Sequence, residues 1–255
     1  MEQSDQFDII HNNYDFLPLT YSRLIKTPMI TTIHGFSSPK ILPVFKKYNK
    51  TTNYVSISDA DRSPDLNYIR TIYHGIDINN FTLNENKGDY LLYFGRIHAD
   101  KGTWEAIQVA KMSKMKLVIA GIIQDKKYFD ECVKPYLNED ITYIGSVGPQ
   151  ERDSVLRSAY ALLHPINFNE PFGLSVVESM ACGTPVLAFG KGSMPEIIQN
   201  GTNGFIVSNL EEMAESLKYI ENISRKLCRE TVIKRFSQEK MVKEYIKVYK
   251  EILNK

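Results

Sequence analysis

Short apolar runs recur along the chain, separated by stretches with helical spacing. The runs are 7–11 (FDIIH), 29–35 (MITTIHG), 54–58 (YVSIS), 70–75 (RTIYHG), 90–95 (YLLYFG), 116–121 (KLVIAG), 141–145 (ITYIG), 161–165 (ALLHP), 185–189 (PVLAF) and 204–208 (GFIVS). Most are continuous rather than alternating, the pattern of strands buried on both faces. Helical spacing fills 103–112, 126–137, 149–159 and 174–182. Strand and helix in alternation predict an α/β protein with parallel sheets and helices on both sides.

The stretch 76–89 (IDINNFTLNENKGD) breaks this rhythm with Asn, Asp, Gly and Lys. It reads as a linker between two units. The first, 1–80, holds four predicted strands and is small. The second, 89–236, holds six and has the makings of a complete doubly wound domain. After 209 the pattern is almost entirely helical. The last helix, about 238–253, has apolar spacing at Met241, Tyr245, Val248 and Ile252.

Open parallel sheets bind ligands beyond the carboxyl ends of their strands. The residues after Gly95, Gly121, Gly145, Pro165 and Phe189 are therefore where chemistry is expected. GRIHADKG (95–102) directly follows a strand. Gly95 permits close approach of a ligand, and Arg96 and Lys101 offer a planar fork of donors and a movable point charge suited to a diphosphate. The plainer alternative is a solvated basic loop.

NEPFGLSVVESMACGTPV (169–186) places Glu170 before a helix and Glu178 inside it. Val176, Val177, Met180 and Ala181 form one stripe of that helix, and Glu178 points away from its centre. Gly173 allows an unusual backbone angle at the entrance. The N–H groups of Leu174 and Ser175 then begin the helix, a ready anion site. Acidic residues on a surface helix are the alternative.

GKGSMPE (190–196) resembles a phosphate loop only loosely. The chain contains no G-x-x-x-x-G-K-[ST] and no G-x-G-x-x-G after the first strand of either unit. P-loop nucleotidases and dinucleotide dehydrogenases are thus unsupported. His34 ends a strand of the first unit, a good place for a polar group facing a cleft, although a lone histidine is more often merely structural. His11, His74, His98 and His164 lack metal-ligand spacing and read as structural. Asp59 and Asp61 form a D-x-D pair, but Ser58 before them predicts the cap of a short helix instead.

Composition narrows the picture in three ways. With 31 basic and 30 acidic residues the net charge is +1, so no global field draws in nucleic acid. Cys132, Cys182 and Cys228 are odd in number and include no C-x-x-C pair, which argues against a disulfide framework or zinc site. Buried free thiols and a cytoplasmic setting are expected. The opening MEQSDQFD carries no apolar signal core, and the run LVIAGII (117–123) is too short to span a bilayer. Lys40, Lys46, Lys47 and Lys50 read as a solvated helix face, with peripheral contact to an anionic membrane as the alternative.

Taken together, these motifs resemble glycosyltransferase family four, the group 1 retaining enzymes of GT-B fold. FGRIHADKG, the E-x7-E element from Glu170 to Glu178, ESMACGTPVLAFGKGSMPEII and NGTNGF carry the resemblance over 90–208. FDIIH, TPMITTIHGF, YVSISDADR and RTIYHGIDINNF are similar to the later half of the family's N-terminal, acceptor-side domain. His74 stands where the family usually has asparagine.

The resemblance implies that Arg96 and Lys101 neutralise the donor diphosphate. It implies that the backbone of Gly173, Leu174 and Ser175, beside Phe172, cradles the distal phosphate. Glu178 would hold the ribose, Glu170 the transferred sugar, and Gly145, Ser146 and Val147 the nucleobase. His34 would reach the sugar from the other domain. It further implies a hexosyltransferase that retains configuration, a UDP-sugar ahead of a GDP- or ADP-sugar, no metal and no cofactor. The closing helix, 237–255, would join the first unit.

One departure stands out. Family members open with further elements, including a first strand and a glycine-rich loop, before the segment matching FDIIH. In a doubly wound sheet the first strand is normally central, so the reduced first unit is expected either to expose a central edge or to have a rebuilt sheet. Three alternatives follow. The reduced unit is active, a second chain or another copy covers the edge, or the protein is a non-catalytic nucleotide-sugar-binding subunit. Another enzyme on this fold, an epimerase or phosphorylase, is a further alternative. The acceptor class is left open among glycan, lipid-linked glycan, protein and small molecule.

Overall fold

The computed structural model of the chain describes residues 2–35 and 38–254. The chain forms two compact units, Met1–Gly75 with Gln238–Lys255, and Ile76–Ser237. Each of the ten predicted runs contributes a strand.

The first unit is a parallel sheet in the order β1 (Ile10–Asn12), β2 (Met29–Ile33), β3 (Asn53–Ser56), β4 (Tyr68–Thr71). Successive side chains of a strand point to opposite faces, and β2 uses both. Met29 and Ile33 pack one way with Tyr54, against Leu19 of a 3-10 segment (Leu17–Leu24) and Phe45 of helix α1 (Leu42–Tyr48). Ile30 packs the other way with Val55 and Ile72, against Val248 and Ile252 of the C-terminal helix (Gln238–Leu253). The hydroxyls of Tyr245 and Tyr249 bond to Thr32 Oγ1 at 2.8 Å and His11 Nδ1 at 2.7 Å. The C-terminal helix thus supplies one whole apolar layer of the first sheet.

The second unit is a six-stranded sheet built from β5 (Tyr90–Phe94), β6 (Leu117–Ala120), β7 (Ile141–Tyr143), β8 (Ala159–His164), β9 (Val186–Phe189) and β10 (Gly204–Val207). Its order is β10-β9-β8-β5-β6-β7, all parallel. Leu91, Leu92, Ala161 and Leu162 on the two central strands are fully buried, which is why those runs lack alternation. Helix α2 (Thr103–Ser113) follows β5, and α4 (Pro149–Arg157) precedes β8. Between β6 and β7 the predicted helix 126–137 is divided. A turn of α-helix, α3 (Lys126–Tyr128), passes into a π turn (Phe129–Val133) and a 3-10 turn (Lys134–Tyr136). Pro135 lacks an N–H and its ring clashes with the preceding turn, so a regular helix cannot run through it.

Four further helices, α5 (Leu174–Ala181), α6 (Met194–Ile197), α7 (Leu210–Ser216) and α8 (Arg225–Phe236), complete the unit. Among the described residues no helix is long and apolar enough to cross a membrane. The three cysteines are free. Burial pushes the Cys228 thiol up to about 12 and raises Cys182 as well. Cys132, in the π turn, is only half-buried.

The polar stretch 76–89 is stitched onto the second unit. Arg225, 8% exposed, donates to the carbonyls of Asn84 (2.5 Å), Arg157 (2.9 Å) and Ala159 (3.0 Å) and to Thr184 Oγ1 (2.6 Å). Arg229 donates to the carbonyls of Phe81 and Ala181, both at 2.7 Å. The fork of Arg225 spans four acceptors at once, a geometry lysine cannot copy. Arg225→Met strands those acceptors in the interior. It is expected to lower stability by about 3 kcal/mol, measured by urea unfolding. A loss below ~1 kcal/mol would mean that other contacts hold the segment.

Candidate active site

Strand order reverses between β5 and β8, and the loops leaving these two neighbours are joined by close backbone contact. Gly102, with φ +75°, ends the loop after β5, and a Cβ there would lie 2.0 Å from the carbonyl oxygen of Pro165. The Asn167 N–H donates to the Asp100 carbonyl at 2.7 Å. This contact brings Lys101 onto the β8 loop. Its Nζ donates to Glu170 Oε2 at 2.6 Å and sits 4.4 Å from the centroid of the Phe168 ring. Both partners of the ion pair are largely buried, with side chains 15% and 14% exposed.

GKGSMPE grips the Glu170 loop from its other side. At Gly192, with φ +57°, a Cβ would stand 2.3 Å from the Glu170 carbonyl oxygen and 2.4 Å from its nitrogen. The Ser193 N–H donates to that carbonyl at 2.9 Å, and its hydroxyl donates to the Phe172 carbonyl at 2.7 Å. Phe172 is buried edge-on against Phe236, with centroids 5.8 Å apart. A segment that loosely resembles a phosphate loop is therefore the clamp that fixes Glu170.

Gly173, at φ +92°, turns the chain into α5. The first N–H groups of a helix, here those of Leu174 and Ser175, have no partner within it. One turn on, Glu178 is buried rather than turned to solvent. Arg152 of α4 donates to its Oε1 at 2.8 Å. Burial raises the Glu178 pKa and the Arg152 guanidinium opposes the rise.

These elements enclose a cleft of about 320 Å³. Gly95, Arg96, Lys101, Leu174, Ser175 and Glu178 line it, with Tyr93, Phe94, Arg152 and His164. Arg96 is exposed and donates to Gln124 Oε1. Gly145, Ser146 and Val147 follow the edge strand β7 and do not line the cleft. Their loop is tied to it through glycines: Gly121 N–H donates to the Gly145 carbonyl at 2.8 Å, and a Cβ on Gly121 would lie 1.7 Å from the Gly95 oxygen.

His34 belongs to the first unit. It ends β2, bonds to Asn13 Oδ1 at 2.8 Å, and stacks on His74 at 5.2 Å and 7°. The D-x-D pair is also there. Asp59 accepts from Thr71 Oγ1 at 2.5 Å, and Ser58 Oγ accepts from Asp61 N–H at 3.1 Å within a turn, not the expected helix. Burial pushes the Asp61 carboxyl up to about 7.

Two cleft residues escaped the sequence reading. Arg152 lies in a charged run (Glu151, Arg152, Asp153) at the start of a helix, with no mark to separate it from a solvated face. His164 stands at the carboxyl end of a central strand, the position that signals a ligand site, but a single histidine there reads as structural.

His164 is buried, and burial together with the Lys101 charge lowers its pKa to about 3. His74 is lowered to about 4, chiefly by burial. Against the ordinary 6.5, the unfolded chain binds more protons across the window between these values. Stability therefore rises with pH through that window, is fully present above 6.5, and falls as the pH drops. Urea midpoints measured at pH 7, 5.5 and 4 are expected to fall in that order, with a flatter decline in His164→Phe. An equal decline in the variant would mean that the folded protein protonates this ring freely.

Residues 76–232 match the family model described as "Glycosyl transferases group 1". A glycosyltransferase of Methanocaldococcus jannaschii described as uncharacterized is 30% identical, across 98% of this chain and 77% of its own length. The N-acetyl-alpha-D-glucosaminyl L-malate synthase of Bacillus anthracis is 24% identical, across 98% and 76%. Among solved structures, Anabaena HepE in complex with UDP aligns with TM-score 0.82 at 17% identity, covering 98% of this chain and 80% of that one. The sucrose-phosphate synthase of Thermosynechococcus elongatus aligns with TM-score 0.81 at 20% identity, covering 98% and 74%. The α/β units are those of the GT-B fold. A family model matching more than half of the chain, and a relative at 30% identity of which it covers over three quarters, establish that the chain belongs to the group 1 glycosyltransferases.

Proposed function

We propose that this protein transfers a hexose from a nucleotide-sugar donor, a UDP-sugar, to an acceptor with retention of configuration, and that the cleft at the β5–β8 switch point is its donor site. The observation that carries this reading is the convergence of two cations, a helix start and the buried carboxylate of Glu178 on one cleft, with Glu170 ion-paired to Lys101 of its wall. Arg96, Lys101 and the N–H groups after Gly173 supply positive potential for a diphosphate. As the glycosidic bond breaks, charge grows on the leaving diphosphate, and donors already in place stabilise it. The reading requires no divalent ion or cofactor for this task.

Glu178, held by Arg152, accepts hydrogen bonds from the ribose hydroxyls. Glu170, at the mouth of the clamped loop, receives the hydroxyls of the sugar. Phe172 packs beneath the turn and fixes the angle of the helix start. The loop Gly145–Val147 offers a wall to the nucleobase. The UDP bound in the Anabaena HepE structure belongs to a protein of the same fold, which favours UDP over GDP as the first nucleotide to test. The buried free thiols Cys182 and Cys228 accord with a cytoplasmic setting.

A second reading is a nucleotide-sugar-binding subunit completed by another chain. It is favoured by the position of β1, the first described strand of its sheet, at an edge rather than the centre. Transfer, or slow donor hydrolysis, by the pure chain would exclude it.

Titration of UDP and GDP by calorimetry tests the donor site. UDP is expected to bind more tightly than GDP. Glu178→Gln keeps an oxygen for Arg152 but loses the charge and one acceptor, and is expected to weaken UDP by about tenfold or more. Equal affinity in wild type and variant would remove Glu178 from the ribose site. Binding of neither nucleotide would sink the donor-site reading for the chain alone.

A further inference from the structure

His164 presents a feature that the donor-site reading leaves unused. Its Nε2 is buried and has no hydrogen-bond partner among the described residues, and the residue is part of the cleft's wall. It stands 3.9 Å from Glu170 Oε2. That same oxygen accepts from Lys101 Nζ at 2.6 Å. One carboxylate oxygen therefore has a cation bonded to it and a second nitrogen about 1 Å beyond bonding range.

We propose that His164 is a positioning residue which takes over the Glu170 carboxylate when the donor diphosphate draws Lys101 away. The inference rests on the donor-site reading, which assigns the Lys101 ammonium to the diphosphate. A single ammonium cannot serve both anions at full strength. As Lys101 turns, Glu170 Oε2 loses its donor in a site shielded from water, where an unpaired carboxylate is costly. The Nε2–H tautomer of His164 closes the gap and keeps the carboxylate aimed at the sugar. The orphaned Nε2 is a cost in the free protein that the bound arrangement relieves, so the exchange favours the donor complex.

The charged groups around this ring are Lys101 and Glu170 from the two loops and, on the same cleft, Arg96, Arg152 and Glu178, with the Tyr93 hydroxyl. Lys101 is the one that opposes protonation of the ring. Once a diphosphate compensates Lys101 and Glu170 moves closer, the ring takes up a proton more readily. Donor binding is thereby linked to the protonation state of His164.

The test uses the whole chain with UDP, or GDP if that binds instead. With labelled histidine, NMR follows the His164 ring across pH with and without saturating nucleotide. Its titration is expected at higher pH in the complex. Calorimetry on wild type, His164→Phe, Glu170→Gln and the double variant supplies an independent cycle. His164→Phe keeps a ring but removes the nitrogen, and is expected to weaken the nucleotide about tenfold in wild type and less than about twofold beside Glu170→Gln. His164→Gln, whose amide reaches toward the Nε2 position, is expected to restore most of the loss.

Nucleotide binding with an unmoved ring titration would overturn the inference and leave the donor site standing. So would equal losses in both backgrounds, since a packing role alone predicts additivity. Absence of binding by either nucleotide would overturn both.

Discussion

The backbone of Gly102 passes so close to the carbonyl of Pro165 that a Cβ there would lie 2.0 Å from its oxygen. This contact lies where the strand order of the second sheet reverses, so two loops that would otherwise diverge over opposite faces are tied together. The Lys101–Glu170 ion pair hangs on it. Lys101 precedes the contact by one residue and Glu170 follows it by five, so the ion pair between them inherits its geometry from glycine backbone. A second such contact, Gly192 against Glu170, closes the far side of the same loop. The site is thus fixed by main chain, leaving the side chains free to exchange partners.

Two carboxylates at the site are ion-paired in a way that compensates burial. Glu170 has Lys101, and Glu178 has Arg152. A buried carboxylate without a partner is expensive, and a buried cation equally so. Each pair therefore compensates the cost of burying its carboxylate. A ligand entering such a site substitutes one set of ionic contacts for another, and the residues left behind matter as much as those engaged. His164 draws its interest from this exchange.

The first unit applies the same economy to apolar surface. Alternate residues of β2 serve two layers, one closed by α1 and the 3-10 segment, the other by the C-terminal helix. Polar groups follow the strand ends. His11 bridges Thr32 and Tyr249, and His34 stacks on His74. The His74 ring gives His34 a flat partner, and burial keeps His74 neutral near pH 7.

Periodicity alone was enough to read the ten strands, because strands buried on both faces are apolar throughout and short. Glycines and charges at their carboxyl ends were enough to single out Gly95 to Lys101 and Glu170 to Glu178 as candidates, because ligands of open parallel sheets bind beyond that edge. Local pattern could not show which polar residues far apart in the chain would meet. Residues 76–89 have the composition of a tether, yet Arg225 and Arg229, over 130 residues away, bind their carbonyls. Arg152 carries no mark of its own within a charged helix, and only the packing of α4 beside α5 sets it against Glu178. The loose glycine motif at 190–193 became a clamp because tertiary contact, not sequence, decides what a glycine's missing side chain makes room for. The chain by itself determined its strands and its family. The partners of each buried charge were decided only in three dimensions, where desolvation makes every unpaired group costly and distance along the chain counts for nothing.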